Sequence, residues 1–270
     1  MSDWLPVSRS APCRICGKSD WCLVAPDGEA HLCNRVESDK PAKGGGWLHG
    51  TPRRLDAPMR HDTLKPAYDP PDFNAGLWWR TGRYLLARQP DTLTPWAEQL
   101  GVSADALAWM GATTICGMLC FPMHDGTGKV CGIRTRTPDG AKRAITGSKA
   151  GVFLPTVRLP DLDVVICEGP TDAASALDLG FEPLGRPSCI GQEQHVLETL
   201  RRWGCDHVTV CVDNDGPGVA GANRLSDVLR GMRGKVRMVA PVGHKDLREW
   251  RRAGADRAQV DVAWSQAKWR

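Results

Sequence analysis

The amino-acid sequence predicts an α/β protein whose second half forms a mainly parallel β-sheet. Short apolar runs recur there between segments with helical spacing, at 164–167, 207–212 and 236–241. Such runs are typical of buried strands in βαβ units. An N-terminal group of cysteines and a basic middle segment with strand and turn signals precede this part. They predict a zinc ribbon-like module and a basic α+β subdomain.

These patterns divide the 270 residues into five predicted segments. Residues 1–50 form the zinc-binding module, and residues 51–71, rich in proline, glycine and charge, form a linker. Residues 72–160 form the basic subdomain, residues 161–255 the parallel α/β domain, and residues 256–270 a C-terminal helix or tail. The net charge of +4 is only mildly basic, so it permits binding to nucleic acid without arguing for it.

Neither a membrane span nor a signal peptide is indicated by the sequence. No stretch approaches the 18 consecutive apolar residues of a transmembrane helix. Five of the cysteines lie in or beside apolar, strand-like runs, where we expect small buried hydrophobic residues rather than disulfides. We therefore expect a cytoplasmic protein. These five are Cys120, Cys131, Cys167, Cys205 and Cys211.

The N-terminal cysteines have the spacing of a zinc site. Cys13 and Cys16 form a Cys-x-x-Cys knuckle followed by glycine, which wraps two thiolates around one ion. A turn at Asp27-Gly28 predicts a hairpin that sets Cys22 opposite Cys33 on one face. Four thiolates could then close a structural zinc site, with His31 and His49 as substitutes if one cysteine is not a ligand.

The middle segment predicts helices followed by strands. Helical spacing covers 77–86, 94–100 and 103–109, with Ser103 suited to cap the last helix. Strand signals follow in three runs separated by turns at Asp125-Gly126-Thr127-Gly128 and Pro138-Asp139-Gly140. The three runs are 118–123, 130–137 and 152–154.

Between Lys129 and Lys149 lie six basic residues and one acid, Asp139. Arg134 and Arg136 are two apart, so they project from one face of a strand. An ordinary solvated face would explain a run of charges alone. Because this segment precedes an acidic site, we expect contact with a nucleic-acid backbone or a triphosphate. The residues we assign to it are Arg134, Arg136, Lys142 and Lys149.

Acidic side chains follow three of the predicted parallel strands. Glu168 ends the first, Asp213 and Asp215 follow the second, and Asp246 follows the third. Ligands bind such sheets outside the carboxyl ends of the strands. Carboxylates gathered there repel one another unless a hard cation neutralises them, and Mg²⁺ is held by a few carboxylates plus substrate phosphates. The sequence therefore predicts metal-dependent phosphoryl-transfer chemistry.

Two glycine-containing stretches resemble nucleotide-binding motifs, but each lacks part of the pattern. Gly216 to Gly221 fits Gly-x-Gly-x-x-Gly, but the carboxylates of Asp213 and Asp215 directly precede it, where a pyrophosphate would bind. The acidic residue that would hold a ribose about 20 positions further on is also missing. Gly17-Lys18-Ser19 lacks the earlier glycine of a phosphate loop, because position 12 is Pro12. No other such motif occurs, so we expect no nucleotide-driven motor in this chain.

The acidic motifs carry a family resemblance. Glu168-Gly169-Pro170-Thr171-Asp172, then Asp213-Asn214-Asp215-Gly216, then Lys245-Asp246 resemble the Toprim domain of primases, topoisomerases and some nucleases. The resemblance implies that Glu168 is the general acid or base or a further metal ligand. It also implies that Asp213, Asp215 and Asp246 surround Mg²⁺ or Mn²⁺, and Asp172 matches a second acidic position.

A zinc module and a basic subdomain ahead of such a domain resemble a DNA primase of phage or mobile-element type. This implies synthesis of short RNA primers from ribonucleoside triphosphates on single-stranded DNA, beside a separate replicative helicase. Two alternatives remain open: a Toprim nuclease or recombination factor, and a non-catalytic adaptor that binds nucleic acid. A topoisomerase is disfavoured, because the only tyrosines, Tyr68 and Tyr84, fall in the predicted linker and in a helix.

Overall fold

The computed structural model describes residues 4–42, 45–50, 73–231 and 235–269. The chain divides into two compact units, residues 1–69 and 70–270. The linker predicted at 51–71 lies outside the described residues, and the predicted domain boundaries stay predictions. No helix within the described ranges is long and apolar enough to cross a bilayer.

The first unit is a small antiparallel sheet of four strands in sequence order. Ala25 and Ala30 pair across the turn at Asp27-Gly28, with 2.8 Å between the Ala25 nitrogen and the Ala30 oxygen. Gly28 has a φ of +73°, a conformation that glycine adopts without steric cost. The predicted hairpin is therefore confirmed. The strands are β1 (Leu5–Pro6), β2 (Leu23–Val24), β3 (Ala30–Cys33) and β4 (Trp47–Gly50).

The second unit begins with three helices, α1 (Ala75–Arg88), α2 (Thr94–Leu100) and α3 (Ala104–Trp109). Ser103 caps α3 as predicted, because its hydroxyl accepts a hydrogen bond from the Ala106 N–H at 2.9 Å. The helices bury a shared apolar core with the sheet that follows.

An antiparallel sheet of four strands in sequence order follows these helices. Its strands are β5 (Thr113–Ile115), β6 (Met118–His124), β7 (Val130–Arg136) and β8 (Lys142–Ala144). The predicted strand at 152–154 is reduced to two isolated bridges. Val152 pairs with His124 of this sheet, whereas Phe153 pairs with Gly185, so no continuous ladder forms.

The remainder of the second unit contains the predicted parallel sheet, with strand order β10-β9-β11-β12. Its helices cover both faces, as expected for strands that are apolar on both sides. α5 and α6 contribute to the core on one face, and α4, α7 and α8 to the core on the other. In chain order the elements are β9 (Val164–Glu168), α4 (Pro170–Asp178), β10 (Glu182–Arg186), α5 (Glu193–Trp203), β11 (His207–Cys211), α6 (Gly216–Arg230), β12 (Lys235–Val239), α7 (Leu247–Arg252) and α8 (Arg257–Trp264).

Asp178 fixes the basic subdomain to the parallel-sheet domain. Its carboxylate accepts hydrogen bonds from the Ser103 N–H, at 2.8 Å, and hydroxyl, and it pairs with Arg251 at 2.9 Å. Arg251 also donates to the Gly101 carbonyl at 2.7 Å. The two halves of the second unit thus share polar contacts as well as a core. This holds the antiparallel sheet in place beside the carboxyl ends of the parallel strands.

All eleven cysteines are free thiols. Cys120, Cys167 and Cys211 are buried, as predicted, whereas Cys131 and Cys205 are half-buried. Burial raises the pKa of the Cys120 thiol to about 12, so this thiol stays protonated at neutral pH.

Candidate active site

The first unit brings its four cysteines together. The sulfurs of Cys13, Cys16, Cys22 and Cys33 lie within 4.8 Å of one another. Cys16 and Cys22 sulfurs are 3.7 Å apart, and Cys22 and Cys33 sulfurs are 3.9 Å apart. A tetrahedron of thiolates about 2.3 Å from zinc has sulfur–sulfur edges of about 3.8 Å. The cluster therefore fits a structural zinc ion.

Local backbone geometry explains how the cluster forms. In the knuckle, the Gly17 N–H donates to the Cys13 carbonyl at 2.8 Å, and Gly17 has a φ of +69°. In the hairpin, Leu23 pairs with Leu32, which places Cys22 opposite Cys33 as the sequence predicts. The Val36 N–H lies 3.4 Å from the Cys33 sulfur, a contact that supports a thiolate at this position.

The two histidines named as substitutes lie outside this group of sulfurs. His31 is buried, and its pKa is lowered first by burial and then by the charges of Arg14 and His49. His49 contacts the Val36 carbonyl through Nε2 at 3.0 Å. The four cysteines supply a complete tetrahedral ligand set without either histidine.

The second unit brings its predicted acidic residues to the carboxyl edge of the parallel sheet. Burial, followed by the charges of Asp172, Glu168, Asp246 and Asp215, raises the pKa of Asp213 to about 8. Burial also raises the pKa of Glu168, with Asp215 as the next cause. These mutual effects place all five carboxyl groups in one electrostatic cluster, which is defined here as the acidic cluster.

Asp215 and Asp246 also begin helices. Asp215 caps α6 by accepting from the Gly218 N–H at 2.8 Å, and Asp246 caps α7 by accepting from the Glu249 N–H at 2.7 Å. Each cap uses one carboxylate oxygen and leaves the other for a second partner. In Asp215 that second oxygen lies 3.4 Å from the Lys245 ammonium nitrogen.

The glycine-rich turn after Asp215 serves close packing. A Cβ atom on Gly218 would come within 2.7 Å of the Asp213 carbonyl oxygen, so a side chain there would push the two aspartates apart. The Gly218 N–H is already bonded to Asp215. A dinucleotide loop needs such N–H groups free for a pyrophosphate. The geometry therefore argues against the dinucleotide motif.

The carboxylate oxygens are more widely spaced than the cysteine sulfurs. In the described part of the chain, the cysteine cluster alone has three or more ligand atoms within 4.8 Å of one another. Mg²⁺ usually keeps several waters and is held by one or two carboxylates plus substrate phosphates. The carboxylates of the acidic cluster are the donor type that such partly hydrated ions take.

Two of the predicted basic residues, Arg136 and Lys142, lie beside the acidic cluster. Burial lowers the pKa values of Arg136 and Lys142, and each is also affected by Arg248 and Asp172. Arg134 donates to the Pro187 carbonyl at 3.2 Å, so part of its guanidinium is used within the protein. Lys149 lies elsewhere, because its backbone N–H donates to the carbonyl of Cys131 near the other end of β7.

Sequence reasoning missed two arginines of this site. Arg248 lies 3.8 Å from the Asp246 carboxylate, and its Nε is buried with no partner among the described residues. Its position two residues after Asp246 was the available signal. Arg186 ends β10 directly opposite Glu168 in the parallel pairing. Only the strand register reveals that position.

Comparison with known proteins is consistent with this geometry. Residues 165–250 match the family described as Toprim-like. No curated protein sequence matches the chain significantly. One similar solved structure is the DnaG catalytic core, with a TM-score of 0.52 and 15% identity over 66% of this chain and 73% of that chain. Another is the Escherichia coli primase catalytic core, with a TM-score of 0.54 and 13% identity over 72% of this chain and 79% of that chain.

The second unit therefore contains a Toprim-like domain. Together with the basic subdomain, this domain has the fold of the catalytic core of a DNA primase. At these identities the likeness concerns the fold.

Proposed function

We propose that the protein is a DNA primase of phage or mobile-element type that synthesises short RNA primers on single-stranded DNA. The observation that carries the proposal is the meeting of two charged groups at one edge of the parallel sheet. Five carboxyl groups lie there beside the cationic side chains of Arg136, Lys142 and Arg248. Such a pairing suits a nucleoside triphosphate with its divalent cations.

In this proposal the carboxylates of Asp213, Asp215 and Asp246 would hold Mg²⁺ or Mn²⁺. Two such ions would stabilise both the attacking and the leaving oxygens of a phosphoryl transfer. Glu168, at the end of β9, would accept the proton of the primer 3′-hydroxyl or act as a further ligand. Its raised pKa makes it a stronger base than an ordinary glutamate, which favours a role as proton acceptor.

The basic residues would bind the substrates. Arg136, Lys142 and Arg248 surround the buried Asp172, and the Nε atoms of both arginines are buried without a partner in the described ranges. Buried donors of this kind favour an anionic ligand such as a triphosphate. Arg134 and Lys149 are proposed to contact the template backbone, as is Arg136 when no nucleotide is bound, and Arg134 also donates to the Pro187 carbonyl.

The zinc module is proposed to contribute to binding the single-stranded template, and a separate replicative helicase is the expected partner. The exposed side chain of Trp21 lies next to Cys22 with a backbone φ of +63°, unusual for a bulky residue. Arg35 holds this loop by donating to the Asp20 carbonyl at 2.8 Å. A fixed, exposed indole is suited to stack on an unpaired base.

Two other functions compete with this proposal: a Toprim nuclease or recombination factor, and a non-catalytic adaptor. One experiment separates the three. Purified protein is incubated with single-stranded DNA, ribonucleotides and Mg²⁺ or Mn²⁺, and both nucleic acids are analysed. Short RNA products support primer synthesis, DNA cleavage supports a nuclease, and DNA binding without either product supports the adaptor.

A further inference from the structure

Arg186 is a buried charged residue that the proposed reaction does not use. Only 4% of its surface is exposed, although arginine is almost never fully buried unless it is paired. It ends β10, where the parallel register sets it opposite Glu168. Its charge lowers the pKa of Glu168, against the effect of burial.

The Arg186 guanidinium holds the loop 187–192. Its Nη2 donates to the carbonyl oxygens of Cys189 and Gly191, at 3.0 and 3.2 Å, and lies 3.5 Å from the Glu193 carboxylate. Cys189 in turn packs on α6, since a Cβ atom on Gly221 would come within 2.2 Å of the Cys189 carbonyl oxygen. The loop therefore connects Arg186 to the helix that begins at the Asp213–Asp215 turn.

Arg186 also faces a small cavity in the acidic cluster. The cavity has a volume of about 20 Å³, and its lining includes Glu168, Arg186, Cys189 and Asp213. One water molecule needs a cavity volume of roughly 10–15 Å³, together with two to four polar partners. The buried Nε of Arg186 has no partner among the described residues, so one donor of its guanidinium remains for this cavity.

We propose that Arg186 is a positioning residue for the acidic cluster. Its Nη2 holds the loop 187–192 against α6, and its Nε holds the Glu168 carboxylate through one water molecule in the cavity. A permanent positive charge is needed because five carboxyl groups crowd this edge and arginine stays ionised even when buried. The effect of Arg186 on the reaction rate rests on the proposed function, whereas its contact with the loop 187–192 can be tested without measuring activity.

The kinetic test compares Arg186→Met and Arg186→Lys with Arg158→Met. Arg158 is a matched control, because its buried Nε also has no partner in the part of the chain that the structure describes, and it donates to the Trp203 carbonyl at 2.6 Å, away from the acidic cluster. The charge of Arg158 lowers the pKa of Glu182, which lies at the other end of β10. We expect Arg186→Met to lower the kcat of primer synthesis about tenfold or more, which corresponds to roughly 1.4 kcal/mol. The KM for nucleotide should stay within about twofold.

Arg186→Lys keeps the charge but loses the planar guanidinium, so it should recover part of the lost kcat. Arg158→Met should keep the kcat of the wild type even if it melts at a lower temperature. An unchanged kcat in Arg186→Met, or an equal loss in Arg158→Met, would overturn the inference.

A second measurement does not depend on activity. Cys189 is half-buried beneath this contact, and burial raises its pKa, so it should react slowly with iodoacetamide. Peptide mapping should show Cys189 alkylated roughly fivefold faster in Arg186→Met, because the loop opens locally more often. Arg158→Met should match the wild type. Equal rates in all three proteins would contradict the loop contact, whereas a wild type that makes no primers would defeat the proposed function alone.

Discussion

The carboxylate of Asp172 accepts a hydrogen bond from the backbone N–H of Arg248, with 3.2 Å between the two atoms. This contact joins α4 to the first turn of α7, next to Asp246. Asp172 is buried, and burial followed by the charge of Asp246 raises its pKa to about 7. The acidic cluster therefore holds protons at pH values where ordinary carboxyl groups have lost them.

These raised pKa values predict that stability falls as the pH rises. Asp172 and Asp213 have folded-state pKa values of about 7 and about 8, against 3.8 for an unperturbed carboxyl group. Between these limits the folded protein binds more protons than the unfolded chain, so the free energy of unfolding decreases with pH. We expect the melting temperature of the second unit, in buffer without Mg²⁺, to fall between pH 6.5 and pH 8.

This pH range was chosen to lie above the titration of the buried His124, whose pKa is lowered to about 4. Between pH 4 and pH 6.5 this histidine makes the free energy of unfolding increase with pH, which would oppose the effect of the aspartates. Asp172→Asn should flatten the decrease, and added Mg²⁺ should raise the melting temperature more at pH 8 than at pH 6.5. A flat profile for the wild type, or an unchanged slope in Asp172→Asn, would show that these carboxyl groups are ionised throughout.

The cysteine cluster predicts about one zinc ion per chain. Because thiolate ligation contributes directly to folding, chelation should unfold the first unit and leave the second unit folded. Metal analysis and hydrogen exchange before and after chelation measure both effects. Cys22→Ser should reduce the zinc content, whereas Cys116→Ser, at an exposed cysteine of the second unit, should not. Protein prepared without chelator that contains no zinc would contradict the assignment.

The arginines of β7 predict a salt-dependent contribution to DNA binding. Each phosphate contact on single-stranded DNA adds about −0.7 to the slope of log affinity against log salt. The double change Arg134→Ala and Arg136→Ala should therefore flatten the slope by about one unit. Arg136→Ala alone should account for more of this than Arg134→Ala, because Arg134 already donates to Pro187.

Arg230→Ala is the control for this measurement, since Arg230 lies at the end of α6 and pairs with Asp227 at 2.8 Å. A slope that is the same in the double variant, the control and the wild type would mean that the two arginines form a solvated face.

Much of the acidic cluster could be predicted because two of its strands are largely apolar runs. Residues 164–167 and 207–212 are recognisable without a partner, and parallel pairing then brings their carboxyl ends to one edge. The hairpin of Cys22 and Cys33 was predictable because a turn centred on Asp27-Gly28, in a loop of four residues between Ala25 and Ala30, fixes the register.

β10 could not be predicted in this way. Its sequence, Glu182-Pro183-Leu184-Gly185-Arg186, contains one strongly apolar residue, yet all five positions are buried. Pro183 is tolerated because β10 is the edge strand of the parallel sheet. Its two charged ends are buried by contacts outside the strand, since Glu182 accepts a hydrogen bond from Leu159, 23 residues earlier, and Arg186 donates to the loop 187–192 that follows it. Tertiary contacts of this kind leave no local sequence pattern.

Glu168→Gln tests the role of this residue in proton transfer. The amide preserves the shape of the side chain but cannot accept the proton of a 3′-hydroxyl. General acid–base catalysis contributes about 10²–10⁴-fold, so we expect a loss of that size in kcat with DNA affinity almost unchanged. Single-turnover primer extension measures the chemical step. If the variant is as fast as the wild type, Glu168 does not transfer the proton.

Asp213→Asn tests whether the acidic cluster catalyses primer synthesis, through the rate of that reaction on single-stranded DNA with Mg²⁺ or Mn²⁺. The amide keeps the shape of the side chain but loses the charge that would hold the cation, which is worth several kcal/mol at the transition state. Asp215→Asn should behave alike. Asp227→Asn is the control, since Asp227 is an exposed residue of α6 outside the acidic cluster. All proteins are compared at matched zinc content and with their melting temperatures measured.

We expect short RNA products from the wild type and from Asp227→Asn, and a loss of about a thousandfold or more in Asp213→Asn with DNA binding retained. A wild type that is inert on varied templates with both cations, or an Asp213→Asn variant that keeps its activity, would contradict the account and favour the adaptor function.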